Sequence, residues 1–400
     1  MSTVVVPHPS PEAVGAEPRP GRSRLLSLDA FRGITIVGMI LVNNPGTWGA
    51  IYPPLRHAAW HGWTPTDLVF PFFLFIVGVA ITFAYDRRLA EGRPKAPLAA
   101  KAARRAALLF AFGLFMAAFP FFEFYQGFAL RDFSTLRIPG VLQRIAVCYL
   151  AATLLFLYAK PKTEYVTAGV ILVGYWLALL FVPAPGYGAG QLAPPEATLP
   201  AYVDRLIFGS HLWSAADRMW DPEGFLSTFP ALVTTLLGVW TGRLLRSDRL
   251  PEQKTLLMLL AGVTLAAAGA AWGWFFPVNK QLWTSSFVVL TGGLALCTLG
   301  VCHWLTDVKG FRRWVQPFVV YGVNAITVYV LSGLLADLLG TIRLAGPDGT
   351  TVSLQSAIFR NVFAGAGSPE LASLLYAVTW VVGWYFVLLW MYRKNIILKV

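Results

Sequence analysis

Residues 66–85 read TDLVFPFFLFIVGVAITFAY, with one carboxylate, Asp67, near the start and no charge after it. Twenty residues wound as a helix rise about 30 Å, the thickness of a bilayer's hydrocarbon core. The stretch is therefore read as a transmembrane helix, and Thr-Pro-Thr-Asp ahead of it suits a helix start. Working outward, comparable apolar stretches lie at 27–46, 102–122, 138–158, 164–183, 226–245, 255–276, 283–305, 315–339 and 371–392. The whole chain agrees with them. Of 400 residues, 56% are hydrophobic and 13% charged, and the mean hydropathy is +0.60. Soluble domains carry roughly a quarter charged residues, so lipid is the solvent this composition suits.

The predicted class is an all-α, polytopic membrane protein of about ten transmembrane helices. Residues 1–26, rich in Pro and Gly, are expected to form a disordered cytoplasmic tail. Residues 27–400 are expected to form a single transmembrane domain with outer loops at 184–225 and 340–370. Of the 32 Lys and Arg, 22 fall in the tail and in or beside every second loop, and 8 in the other loops. Arg32 and Arg144 lie within spans. This alternation predicts cytoplasmic termini in a plasma (inner) membrane. It also explains the net charge of +12 without a nucleic-acid partner. Cys148, Cys297 and Cys302 sit in apolar stretches with no zinc-site spacing.

Polar groups at membrane depth are costly and become functional candidates. Asp29 and Arg32 fall near the inner end of the first span and Asn43 near its outer end. His57 and His61 lie in the following loop, ahead of Asp67. Gln143 and Arg144 open the fourth span. Asp221 and Glu223 precede the sixth, Asn279, Lys280 and Trp283 the eighth, and Asn324 stands inside the ninth. Most of these share the outer half, which predicts an outward polar cavity. Each also has a structural reading. Asp29 and Arg32 at i, i+3 make a local ion pair, Asp67 caps a helix, and Asn324 bonds between helices. His57 and His61 have zinc-like i, i+4 spacing but no third ligand, so no metal is expected.

LDAFRGITIVGMILVNNPG (28–46) and RHAAWHGWTPTDLVFPFFLFIVG (56–78) resemble the opening of the heparan-alpha-glucosaminide N-acetyltransferase family. LRIPGVLQRIAVCY, DPEGFLST, FPVNKQLWTSSFV, YGVNAITVYV and MYRKNIILK continue the resemblance in order. The resemblance implies acetyl transfer from cytoplasmic acetyl-CoA to an amino sugar or glycan across the bilayer, and a homodimer. It also implies an active-site histidine, matched by His57, and an asparagine matched by Asn43.

Acyl transfer needs a base, donors for the developing oxyanion and a hold on the donor. The expected catalytic set is His57 as general base with Asn43 and Asp67. Arg32, Arg144, Gln143 and Lys280 are expected to bind the acyl donor. Asp29, Asp221, Glu223, Asn279, Trp283 and Asn324 are expected to meet the acceptor. The rival reading of the same cavity is a transporter or flippase for a sugar or lipid-linked glycan. A structural partner of a glycan-synthesis complex is a third.

Overall fold

A computed structural model describes residues 25–123, 129–345 and 351–398; the expected N-terminal tail lies outside them, except for its last two residues. The helices in chain order are α1 (Leu26–Asn43), α2 (Val69–Ala90), α3 (Lys95–Ala118), α4 (Val141–Tyr158) and α5 (Pro161–Phe181). They continue with α6 (Leu199–Phe208), α7 (Phe225–Arg246), α8 (Pro251–Trp272) and α9 (Ser285–His303). The last are α10 (Gln316–Val323), α11 (Ala325–Thr341), α12 (Leu354–Ile358) and α13 (Pro369–Arg393). Proline opens α5, α8 and α13, where its missing N–H has no helical partner to lose. Two short antiparallel hairpins, 122–123 with 129–130 and 343–345 with 351–353, are the strands of the described residues.

Eight helices of the described residues are long and apolar enough to cross a bilayer, or nine if a bent pair counts as one span. Ten were expected. The remaining stretch, 102–122, falls largely in α3, whose first half carries Lys95, Lys101, Arg104 and Arg105. The stretch at 315–339 is not one continuous helix: α10 and α11 meet at Asn324 with a 67° bend. Asn324 has left helical geometry (φ −113°, ψ 38°). Its amide donates to Ile396 O at 3.1 Å and its oxygen accepts from Leu398 N–H at 3.2 Å.

The chain divides into two compact units, residues up to 52 with 298 onward, and residues 53–297. In the first, α1 packs on α10 at backbone distance. A Cβ on Gly33 would lie 1.9 Å from Phe318 O. In the second, α2 and α7 cross just as closely, a Cβ on Gly78 falling 1.9 Å from Thr235 O and one on Gly238 2.0 Å from Phe75 O. Small residues allow this, and in lipid such packing replaces the hydrophobic effect as the force between helices. Gly113 of α3 likewise admits the Gln143 side chain of α4.

Candidate active site

In the second unit, a loop between two short helical turns, Pro53–Leu55 and Pro65–Leu68, carries His57. Thr64 precedes Pro65, and its N–H donates to Asp67 Oδ2 at 2.9 Å, a helix cap from the side chain three residues on. The same oxygen accepts the N–H of Ala58 at 3.0 Å. The other carboxylate oxygen, Oδ1, lies 2.6 Å from His57 Nδ1. Asp67 is 1% exposed, while the His57 side chain is 40% exposed. A carboxylate only accepts, so the Nδ1 proton belongs to His57 and Nε2 presents its lone pair.

The second wall is the turn between α8 and α9. Gly62 N–H donates to Val278 O at 2.7 Å, which ties this turn to the histidine loop. Gly62 adopts φ +98°, open to glycine and strained for other residues. Lys280 Nζ then lies 3.1 Å from His57 Nδ1, 3.4 Å from its Nε2 and 3.6 Å from Asp67 Oδ1. Burial pulls the Lys280 pKa below its ordinary value, against the opposing pull of the Asp67 carboxylate. Asn279 donates its amide to His61 Nδ1 at 3.3 Å and accepts from Leu282 N–H at 2.8 Å. Trp283, 1% exposed, takes φ +52°, an outlier for a bulky residue. Phe70 and Phe287 hold its ring edge-on, and its indole N–H donates to Thr234 Oγ1 at 3.2 Å.

A third group forms around the turn at 221–224. Arg137 grips Asp221 through Nε at 2.8 Å and Nη2 at 2.5 Å, and reaches Glu223 Oε2 at 2.6 Å. Burial works against the Arg137 charge, but these carboxylates outweigh it and raise its pKa. Burial pushes Asp221 the other way, above the usual carboxylate range, with Arg137 opposing. Arg144, 2% exposed, donates through Nη2 to Gly224 O at 3.2 Å and to Ser227 Oγ. Its guanidinium carbon stands 5.1 Å over the Trp283 ring. Its Nε and Nη1 have no hydrogen-bond partner among the described residues. Gln143, Arg144 and Glu223 line one cavity of about 240 Å³ whose other walls are largely apolar.

The arrangement is a histidine–carboxylate pair with a lysine beside it, next to a buried acidic and basic cluster. Among the described residues no three His, Cys, Asp or Glu gather as a metal site would require.

The family model for heparan-alpha-glucosaminide N-acetyltransferase, catalytic, matches residues 24–269. The chain belongs to that family. It is 34% identical over 359 residues to the human heparan-alpha-glucosaminide N-acetyltransferase, covering 77% of this chain and 52% of the relative. It is 32% identical over 365 residues to the mouse protein of the same name, covering 78% and 54%. The chain thus spans about half the length of the curated relatives it matches.

Of the residues expected in this family member's site, the second unit assembles His57, Asp67 and Lys280 in direct contact. It sets Asn279, Trp283, Gln143, Arg144, Asp221 and Glu223 in the neighbouring groups. The first unit holds the rest: Arg32 pairs with Asp29 at 3.1 Å, Asn43 is exposed as the last residue of α1, and Asn324 forms the helix break. Sequence reasoning passed over Arg137 and Asp204. Arg137 stands in the LRIPGVLQ motif, where a cation next to an expected span calls for a carboxylate partner. Asp204 lies on the amphipathic α6, where nothing in the sequence marks it as buried.

Proposed function

We propose that the chain is a membrane-embedded N-acetyltransferase that moves acetyl from acetyl-CoA to the amine of a glucosamine-type sugar or glycan. The observation that carries this is the His57–Asp67 pair at 2.6 Å, with Lys280 against it, in a member of this family. Acetyl-CoA, as thioester, supplies the activated acyl group. His57 Nε2 takes the proton of the acceptor amine as the amine attacks, and returns it to the departing thiolate. Asp67 fixes the imidazole tautomer and stabilises the imidazolium. Lys280, when protonated, donates to the oxygen on which charge develops. Asn43 is carried over from the motif as a further polar group of the reaction.

Support for holding an anionic donor comes from the far end of α2. There Arg246 meets Asp86 at 2.7 Å, so the ends of α2 and α7, from which the basic segments 87–105 and 243–254 continue, lie side by side. That end is the cytoplasmic one in this reading, and His57 faces outward across a plasma membrane. The test uses purified protein, labelled acetyl-CoA and a panel of amino sugars. Wild type should acetylate glucosamine, and folded His57→Ala should fall by about 10²–10⁴. Asp67→Asn should lose kcat at little cost in acceptor KM. Transfer undiminished in His57→Ala would overturn the base assignment. Sugar movement with no acyl donor would overturn the enzyme.

A further inference from the structure

We infer that the acceptor is an amino sugar carried on an apolar chain, drawn from the bilayer into the cavity between α4 and α7. This rests on the proposed acetyl transfer and names the substrate class of that site. The cavity has two chemically different ends. One, further along α4 and α7, is walled by Val147, Ala151, Phe229 and Leu232, with Val147 and Phe229 45–47% exposed on helices apolar enough to face lipid. The other carries Gln143, Arg144 and Glu223.

The polar end fits a sugar head. Arg144 keeps two N–H-bearing nitrogens, Nε and Nη1, without partners, and a buried guanidinium donor left unpaired is costly. Sugar ring and glycosidic oxygens are acceptors of the kind it lacks. The surroundings argue against a phosphate head. Glu223 faces the cavity, and Asp221 and Asp204 stand behind it, so Arg144 and Arg137 create no net positive site. A carboxylate at this place instead suits the ammonium or hydroxyls of an amino sugar. Arg144 also links this cavity to the reacting groups through the turn that carries Trp283 and Lys280. Its guanidinium stands over the Trp283 ring, three residues along the same turn from Lys280, whose Nζ touches His57.

The probe pair is dodecyl β-glucosaminide and methyl β-glucosaminide, with full-length protein in phosphatidylcholine nanodiscs. Wild type should acetylate the dodecyl compound with kcat/KM at least about tenfold above the methyl one. Ala151→Phe, which fills the apolar end, should bring that ratio close to unity. Val147→Trp does the same from a more exposed position if Ala151→Phe does not fold. A second arm omits acetyl-CoA and measures binding by native mass spectrometry. Dodecyl β-glucosaminide should bind wild type and be lost from the filled variant, and dodecyl glucoside, lacking the amine, should bind about tenfold more weakly. A dodecyl preference unchanged by filling the cavity, or equal binding of dodecyl glucoside, would overturn the inference. Acetylation of methyl glucosaminide with no chain preference would overturn it too, while leaving the acetyltransferase intact. Cavity-dependent binding without any acetyl transfer would remove the acetyltransferase, and with it the acceptor role, leaving the lipid-borne amino sugar as a ligand only.

Discussion

At the scale of residues, Asp204 is a carboxylate at odds with its surroundings. It is 1% exposed, and Oδ1 accepts the Phe225 N–H at 2.7 Å. Burial pushes its pKa from the ordinary 3.8 up to about 7. Between those values the folded state holds a proton that the unfolded chain releases. Stability is therefore highest below the lower value and declines as pH rises through this window. By neutral pH the loss is on the order of a few kcal/mol. Asp204→Asn keeps an oxygen acceptor without the charge. It should melt higher than wild type at pH 7.5 and show a flatter Tm profile from pH 4 to 7.5; superimposable profiles would clear Asp204 of the effect. The sequence exposed other residues better. Asp67 read at least as well as a cap as it did as a catalytic partner; in the structure one oxygen serves backbone N–H groups and the other bonds His57. Lys280 was visible as a candidate, but its place against His57 was not. The two stand 223 positions apart, and their loops meet through tertiary bonds such as Gly62–Val278 and Asn279–His61 that no local pattern announces.

At the scale of elements, apolar length sufficed to find the long helices, because in hydrocarbon only an internally bonded backbone is tolerated. It did not show the break at Asn324. A polar residue within an apolar run looks the same whether it bonds to a neighbouring helix or stops its own. Nor did it show which glycines are at crossings. Gly78 and Gly238 lie where α2 and α7 touch through their backbones, whereas Gly169 of α5 has open space around it. Gly238→Ala must push the helices apart and should destabilise by about 1–3 kcal/mol. Gly169→Ala should be neutral. Thermal unfolding in detergent compares them, and equal Tm values would mean the crossing is looser than its distances say.

At the scale of the whole molecule, charge alternation predicts a sidedness that the fold of each unit does not itself carry. Tyr187, in the long segment before α6, and Leu250, between α7 and α8, are exposed reporters on opposite sides of the expected membrane. Cys148 and Cys302 are buried and Cys297 is half-buried within α9, so Cys297→Ser is the background in which the reporters are compared. In intact cells an impermeant maleimide should label Tyr187→Cys, and reach Leu250→Cys only after permeabilisation. The reverse result would place the histidine loop in the cytoplasm. With α2 22 residues long, the dyad at its start and the basic segments at its end are roughly 30 Å apart. A donor held at one end and used at the other has to thread most of that span.

The break at Asn324 has a mechanical side. Its side-chain amide makes both bonds with the backbone at 396–398, so this short segment works as a splint across the joint of the bent helix pair. A load applied there is felt by the joint. A proteolytic nick after Lys394, or an affinity handle straining against resin, loosens an elbow in the middle of a helix pair.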